Sequence, residues 1–251
     1  MGRLNTLGNR TCYYGRSYEY FSNELPGTRQ VHEPLSNCLS DKDMITSLKT
    51  PAQSWNALSR GMKAHEAAIQ AQKFPLPDRL AKSNLLLAHP IYFVKLSHLV
   101  STMGLRYAKL ATWRYFIKPA NSRKIGVAEV SIAERTGYSF ASFSASSEVK
   151  KHYMFLRSMV NHDRGPDSYS LRMVRISSLR ILAVWLRSRT GKKDILIPLG
   201  ADTDRLRHGR AYPRREFEAA IHADAERLSS DLTKSILTRK QNMPSPNFRT
   251  V

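Results

Sequence analysis

The chain has 251 residues, 41% of them hydrophobic, with 40 Lys and Arg against 20 Asp and Glu, a formal net charge of +20. That much apolar material excludes a wholly disordered chain, and no apolar run approaches the roughly 18 residues that span a bilayer. With two cysteines, Cys12 and Cys38, and no continuous apolar stretch in the N-terminal MGRLNTLGNR, the expectation is a soluble, reduced, cytoplasmic protein.

The charge is uneven. Residues 54–125 carry 12 basic and 2 acidic side chains, and residues 126–200 carry 12 and 6. An unpaired excess of this size sets up a positive field that favours anionic partners.

Residues 1–49 read as an irregular arm, interrupted by Gly2, Gly8, Gly15, Pro26, Gly27 and Pro34, with an aromatic cluster around Tyr13, Tyr14, Tyr18, Tyr20 and Phe21. Thr50-Pro51-Ala52-Gln53 predicts a capping box with proline at the first helical position. Trp55, Leu58, Met62, His65 and Ile69 continue at helical spacing, and Gly61 weakens the middle by about 1 kcal/mol relative to alanine. Asp78 is expected to cap a second short helix through Leu87. Ile91–Val94 is β-branched and aromatic, as strands prefer, and a short helix over His98–Met103 ends at Gly104.

Strands are then predicted at 111–117, 125–132 and 138–143. Ser146 or Ser147 caps a helix to Val160 with the stripe Val149, Tyr153, Leu156, Val160 and Glu148 in its first turn. The loop NHDRGPD (161–167) precedes strands at 169–176 and 179–186, and RSRTGKKD (187–194) is a basic hairpin loop. Ile195–Leu199 is a further strand, placed at an edge because Pro198 cannot donate to a ladder. Pro213 opens a final helix with Phe217, Ala220, Ile221 and Leu228 on its apolar face. The fold class is therefore α+β, a mainly antiparallel sheet over about 91–199 packed by helices. The expected organisation is an arm at 1–49, one domain at 50–232 and a tail at 233–251.

The segments HPIYFVKL (89–96), TWRYFI (112–117) and SLRILAVWLRS with DILIPLG (178–200) resemble an uncharacterised bacterial protein family of unknown function. In that family a similar apolar strand pair ends in an IPL strand before an acidic or Pro-rich loop. The resemblance covers about residues 85–230 and implies no activity.

Two basic sets stand out. Arg172, Arg175, Arg180, Arg187, Arg189, Lys192 and Lys193 decorate two strands and their hairpin. Arg106, Lys109, Arg114, Lys118, Arg123 and Lys124 interleave with Tyr107, Trp113, Tyr115 and Phe116. Such residues contact phosphates and stack bases on an exposed face, although Trp and Phe are more often core. The chain carries no helix-turn-helix, zinc-finger or RNP signature. It also has no phosphate loop, dinucleotide fingerprint, C-x-x-C or H-E-x-x-H.

The candidates for chemistry are His162 with Asp163, as an imidazole–carboxylate pair, and Glu129, as an inward carboxylate on a strand. No cofactor and no metal site is expected. The sequence therefore reads as a non-enzymatic protein that binds a polyanion, RNA or DNA, through a basic surface. The alternatives are a basic assembly subunit for an acidic protein partner and an enzyme acting on an anionic substrate.

Overall fold

The computed structural model describes residues 44–77, 79–101, 104–133, 137–160, 168–200, 203 and 205–241. The arm up to residue 43, with Cys12, Cys38 and the tyrosine cluster, lies outside them, as do His162 and Asp163. The fold is α+β, built on one nine-stranded, mostly antiparallel sheet.

In chain order the strands are β1 (Met44–Ser47), β2 (Leu85–Phe93), β3 (Lys109–Ile117), β4 (Gly126–Ala133), β5 (Gly137–Ser144), β6 (Ser168–Ile176), β7 (Ile181–Ser188), β8 (Ile195–Gly200) and β9 (Tyr212–Pro213). The helices are α1 (Ala52–Ala64), α2 (Glu66–Ala71), α3 (Leu96–Val100), α4 (Ser147–Val160) and α5 (Arg214–Gln241). The strand order is β5-β4-β3-β2-β6-β7-β8-β9. Two pairings are parallel, β2 with β6 and β1 with β6. β2 meets β6 only from Ile91 to Phe93, and β1 lies beside the first half of β6.

Side chains alternate across each strand, which divides the core by face. On one face α4 lays Val149, Tyr153, Leu156 and Met159 over Leu87, Ile91, Phe116, Val127, Leu171 and Met173. On the other, α1 covers Trp113, Tyr115, Ala128 and Val130, while α3 and α5 cover Val174, Ala183, Trp185 and Leu196. A buried hydrogen bond between the Ser54 and Tyr115 hydroxyls, 2.5 Å, pins α1 to the sheet.

Several expectations are corrected. The capping box does not form: Pro51 is itself the N-cap, no side chain caps α1, and Thr50 stands one residue too far out. The helix expected from Asp78 to Leu87 is replaced by a 3₁₀ turn at Lys82–Asn84 and by β2. Pairing with β3 along its length decides for a strand there, overriding the helical preference of three leucines. α5 runs to Gln241, nine residues into the stretch read as tail, because no Gly or Pro interrupts 233–241. β8 is not the edge strand, because β9 lies outside it, but β9 pairs only Ile195 and Leu196 and so leaves Pro198 beyond its ladder on that side.

Gly61 has a packing reason to be glycine. A Cβ there would lie 2.1 Å from Cβ of Phe140 on β5. Gly61→Ala gains about 1 kcal/mol of helix propensity but overpacks α1 against β5, a cost of about 1–3 kcal/mol. The expected result is a lower denaturant midpoint than wild type. A higher midpoint would show that α1 and β5 separate at no cost.

Candidate functional site

The sheet face under α4 holds a row of polar residues, three of them buried. His89, Arg114, Glu129 and Ser142 are direct cross-strand neighbours on β2, β3, β4 and β5. Arg114, 4% exposed, donates from Nε and Nη2 to Oε1 of Glu129 at 3.0 and 2.5 Å. Arg175 on β6 reaches the same carboxylate, donating from Nη2 to Oε1 at 2.9 Å and from Nη1 to Oε2 at 3.3 Å. That second contact passes over two intervening strands, so both side chains lie extended across the sheet face, about three strand spacings, roughly 14 Å, apart at their strands.

Burial alone would raise the Glu129 pKa. The charges and hydrogen bonds of Arg114 and Arg175 outweigh it and hold the carboxyl at about 2. Glu129 is thus inward, as its strand position suggests, but both oxygens are committed to guanidinium groups rather than to a metal. Among the described residues no group of three or more His, Cys, Asp or Glu is arranged to hold a metal ion.

His89 is fully buried, and neither ring nitrogen has a hydrogen-bond partner among the described residues. Its ring packs on Phe116, with centroids 5.8 Å apart. Burial, and then the Arg114 charge, lower its pKa to about 3, so it is neutral near pH 7. His152 on α4 is lowered to about 4 by the same two causes in the same order.

The thirteen basic candidates sort differently from their order in sequence. Arg114 is buried and ion-paired, so it offers nothing to a surface ligand. Arg175 is half-buried and belongs to the same triad. Arg172 and Arg175 are three residues apart on β6 and so point to opposite faces. The others, Arg106, Lys109, Lys118, Arg123, Lys124, Arg180, Arg187, Arg189, Lys192 and Lys193, are exposed. Of the interleaved aromatics, Trp113, Tyr115 and Phe116 are core, and Tyr107 is exposed.

Strand direction places the exposed cations. β3 and β7 run the same way, because β3 opposes β2, β2 parallels β6 and β6 opposes β7. Their C-terminal ends therefore lie at one end of the sheet. Lys118, Arg123 and Lys124 in the β3–β4 turn stand there with Arg187, Arg189, Lys192 and Lys193 of the β7–β8 hairpin. Arg106, Lys109 and Arg180 belong to the opposite end.

At the hairpin end the sheet and α5 enclose a cleft of about 1040 Å³, lined in part by Lys192, Lys193, Arg214, Arg215 and Tyr212. The two acids at its wall are engaged. Asp194 accepts from Trp185 Nε1, Ser188 N and Ser188 Oγ at 3.0, 3.0 and 3.2 Å. Glu218 accepts from Leu105 N at 2.8 Å and from Arg214 Nε at 3.0 Å.

On the face that α5 packs, Arg172 lies 5.1 Å from the Tyr92 ring centroid and 5.7 Å from that of Trp185, and Arg187 lies 5.6 Å from the Trp185 centroid. Sequence reading selected the two arginines but not Tyr92, Trp185, Arg214 or Arg215. The alternation of Arg172 with Ser170 and of Arg187 with Trp185 carried part of that signal, but only the β6–β7 register joins them. No protein-family model, curated protein or solved structure matches this chain.

Two predictions follow from the buried row. Glu129 is depressed from its ordinary 4.5, so its stabilisation is complete above pH 4.5 and is lost as pH falls through 2, roughly 3 kcal/mol in all. Glu129→Gln removes it at neutral pH and strands two guanidiniums, with an expected loss of about 3–5 kcal/mol by urea titration. A loss under 1 kcal/mol would contradict the triad. His89 takes a proton at 6.5 when unfolded but not when folded until about 3, so stability falls with acidification across that window. His89→Leu removes two unpaired polar atoms. It is expected to match or raise the wild-type Tm at pH 7 and to flatten the fall between pH 6.5 and 4; a lower Tm at pH 7 would show that the imidazole has a partner.

Proposed function

We propose that this protein binds a polyanion, RNA or DNA, without catalysing a reaction, through the end of the sheet that carries the β7–β8 hairpin. The observation that supports this reading is the gathering of Lys192, Lys193, Arg214 and Arg215 about one cleft, with Arg187 and Arg189 at the end of β7 and in the adjoining hairpin, and with the two lining acids, Asp194 and Glu218, hydrogen-bonded into the fold. Phosphate contacts of this kind carry affinity without sequence information. The β3–β4 turn, with Lys118, Arg123 and Lys124, extends the same end by about four to five strand spacings, roughly 20 Å.

A second reading, an assembly subunit, is favoured by a different observation. Leu232 and Ile236 are exposed one turn apart on the outer part of α5. Purification with a stoichiometric acidic protein and no nucleic acid would favour that reading over the first.

Fluorescence-anisotropy titration of nuclease-treated protein with single- and double-stranded RNA and DNA tests the leading proposal. Six engaged phosphates predict a fall in affinity of about 10³ between 50 and 200 mM salt. Replacing Arg189, Lys192 and Lys193 together with Ala is expected to lower the log–log salt slope by about 3. No binding at 50 mM salt, or a salt-independent affinity, would overturn the proposal.

A further inference from the structure

Arg172 and Arg187 are brought together by strand register. Ser170 faces Arg187 and Arg172 faces Trp185 across the β6–β7 ladder, so the two arginines are diagonal neighbours on one face, about 7–8 Å apart at the backbone. Both guanidiniums lie over the Trp185 indole, and Trp185 is itself 3% exposed. Arg172 is held on three sides: its Nη1 donates to Tyr92 Oη at 2.9 Å, its Nε donates to Ser170 Oγ at 3.3 Å, and the Tyr92 ring lies against it.

Every one of those partners is neutral. Among the described residues neither Arg172 nor Arg187 makes an ion pair, and Asp194, whose charge acts on Arg172, is hydrogen-bonded to Trp185 and Ser188. Burial, with the Arg187 charge adding to it against the weaker pull of Tyr92 and Asp194, disfavours the protonated form of Arg172. A guanidinium offers five N–H donors in a planar fork, and only two of those on Arg172 are used.

The fold thus holds two like charges side by side, fixes one of them by hydrogen bonds and ring contacts, and among the described residues gives neither an ion-pair partner. Rings occupy guanidinium faces and leave the N–H edges for an acceptor, and the acceptor that matches a guanidinium fork is a tetrahedral oxyanion. We propose that Arg172 and Arg187, mounted on Trp185 and Tyr92, form a two-guanidinium clamp for a single phosphate group. In the setting of the proposed polyanion reading, on which this rests, that group is one phosphodiester of the nucleic-acid backbone, and the hairpin cations take its neighbours.

Arg172→Lys and Arg187→Lys test the clamp, because each keeps the charge and removes the planar fork. Arg187 is exposed, so its variant keeps the test independent of folding. The probes are a 12-nucleotide single-stranded oligonucleotide and inorganic phosphate. The readouts are anisotropy and the NMR signals of the arginine Nε–H groups and of the Trp185 indole N–H.

The expected result is about a tenfold loss of oligonucleotide affinity in each variant with an unchanged salt slope, and shifts of all three signals in wild type. Steeply salt-dependent oligonucleotide binding that is equal in wild type and both variants would overturn the clamp and leave the polyanion reading standing. Failure of the oligonucleotide to bind, with phosphate shifting the three signals in wild type but not in the variants, would overturn the polyanion reading and keep the clamp as a site for free phosphate. No response to either probe would overturn both.

Discussion

One carboxylate governs the centre of this fold. Glu129 accepts hydrogen bonds from arginines on β3 and β6, and everything under α4 is arranged so that three strands can converge on it. The arrangement is costly to build, because desolvating charged groups opposes the attraction between them. It is correspondingly specific. A one-residue slip of β3 against β4 would turn Arg114 toward the apolar face that α1 covers, among Trp113 and Tyr115. The triad therefore specifies register, which Val, Ile and Phe on neighbouring positions would leave open to more than one alignment.

That internal use of charge changes how the +20 should be read. Arg114 and Glu129 are buried and Arg175 is half-buried against them, so three formally charged groups are paired within the fold. Asp194 and Glu218 are acidic in composition but act as hydrogen-bond acceptors for the fold, tying the hairpin to Trp185 and the turn at Gly104 to α5. The electrostatic surface is thus set in part by which ions the fold pairs internally, as Glu129 is paired with Arg114 and Arg175.

Much of the fold was legible in the chain. Runs such as TWRYFI and ILAVWL announce strands by their β-branched and aromatic content, and six strands fall within two residues of expectation at their ends or nearly so. The helix at Ser147–Val160 was legible from its apolar spacing, though Met159 rather than Val160 is buried. What failed did so where long-range pairing outweighs local preference. Leu85–Leu87 favours a helix in isolation and becomes a strand because β3 lies beside it. The basic residues of the site were visible one by one, but not their roles. That Arg172 and Arg175 point apart follows from simple alternation, whereas the meeting of Arg175 with Glu129, or of Arg172 with Trp185, depends on strand order that no local pattern contains.

The placement of β1 has a consequence for how the protein is made. Its four residues pair in parallel with Ser168–Leu171, about 124 positions later in the chain. At about 5–20 residues per second, a ribosome finishes that partner roughly 6–25 s after releasing β1. β2, β3, β4 and β5, joined by local antiparallel pairing, have their partners in hand well before then. The first of the described strands to emerge is therefore the one that waits longest for its place, and through that interval its backbone hydrogen-bonding groups depend on water, on transient neighbours or on a chaperone.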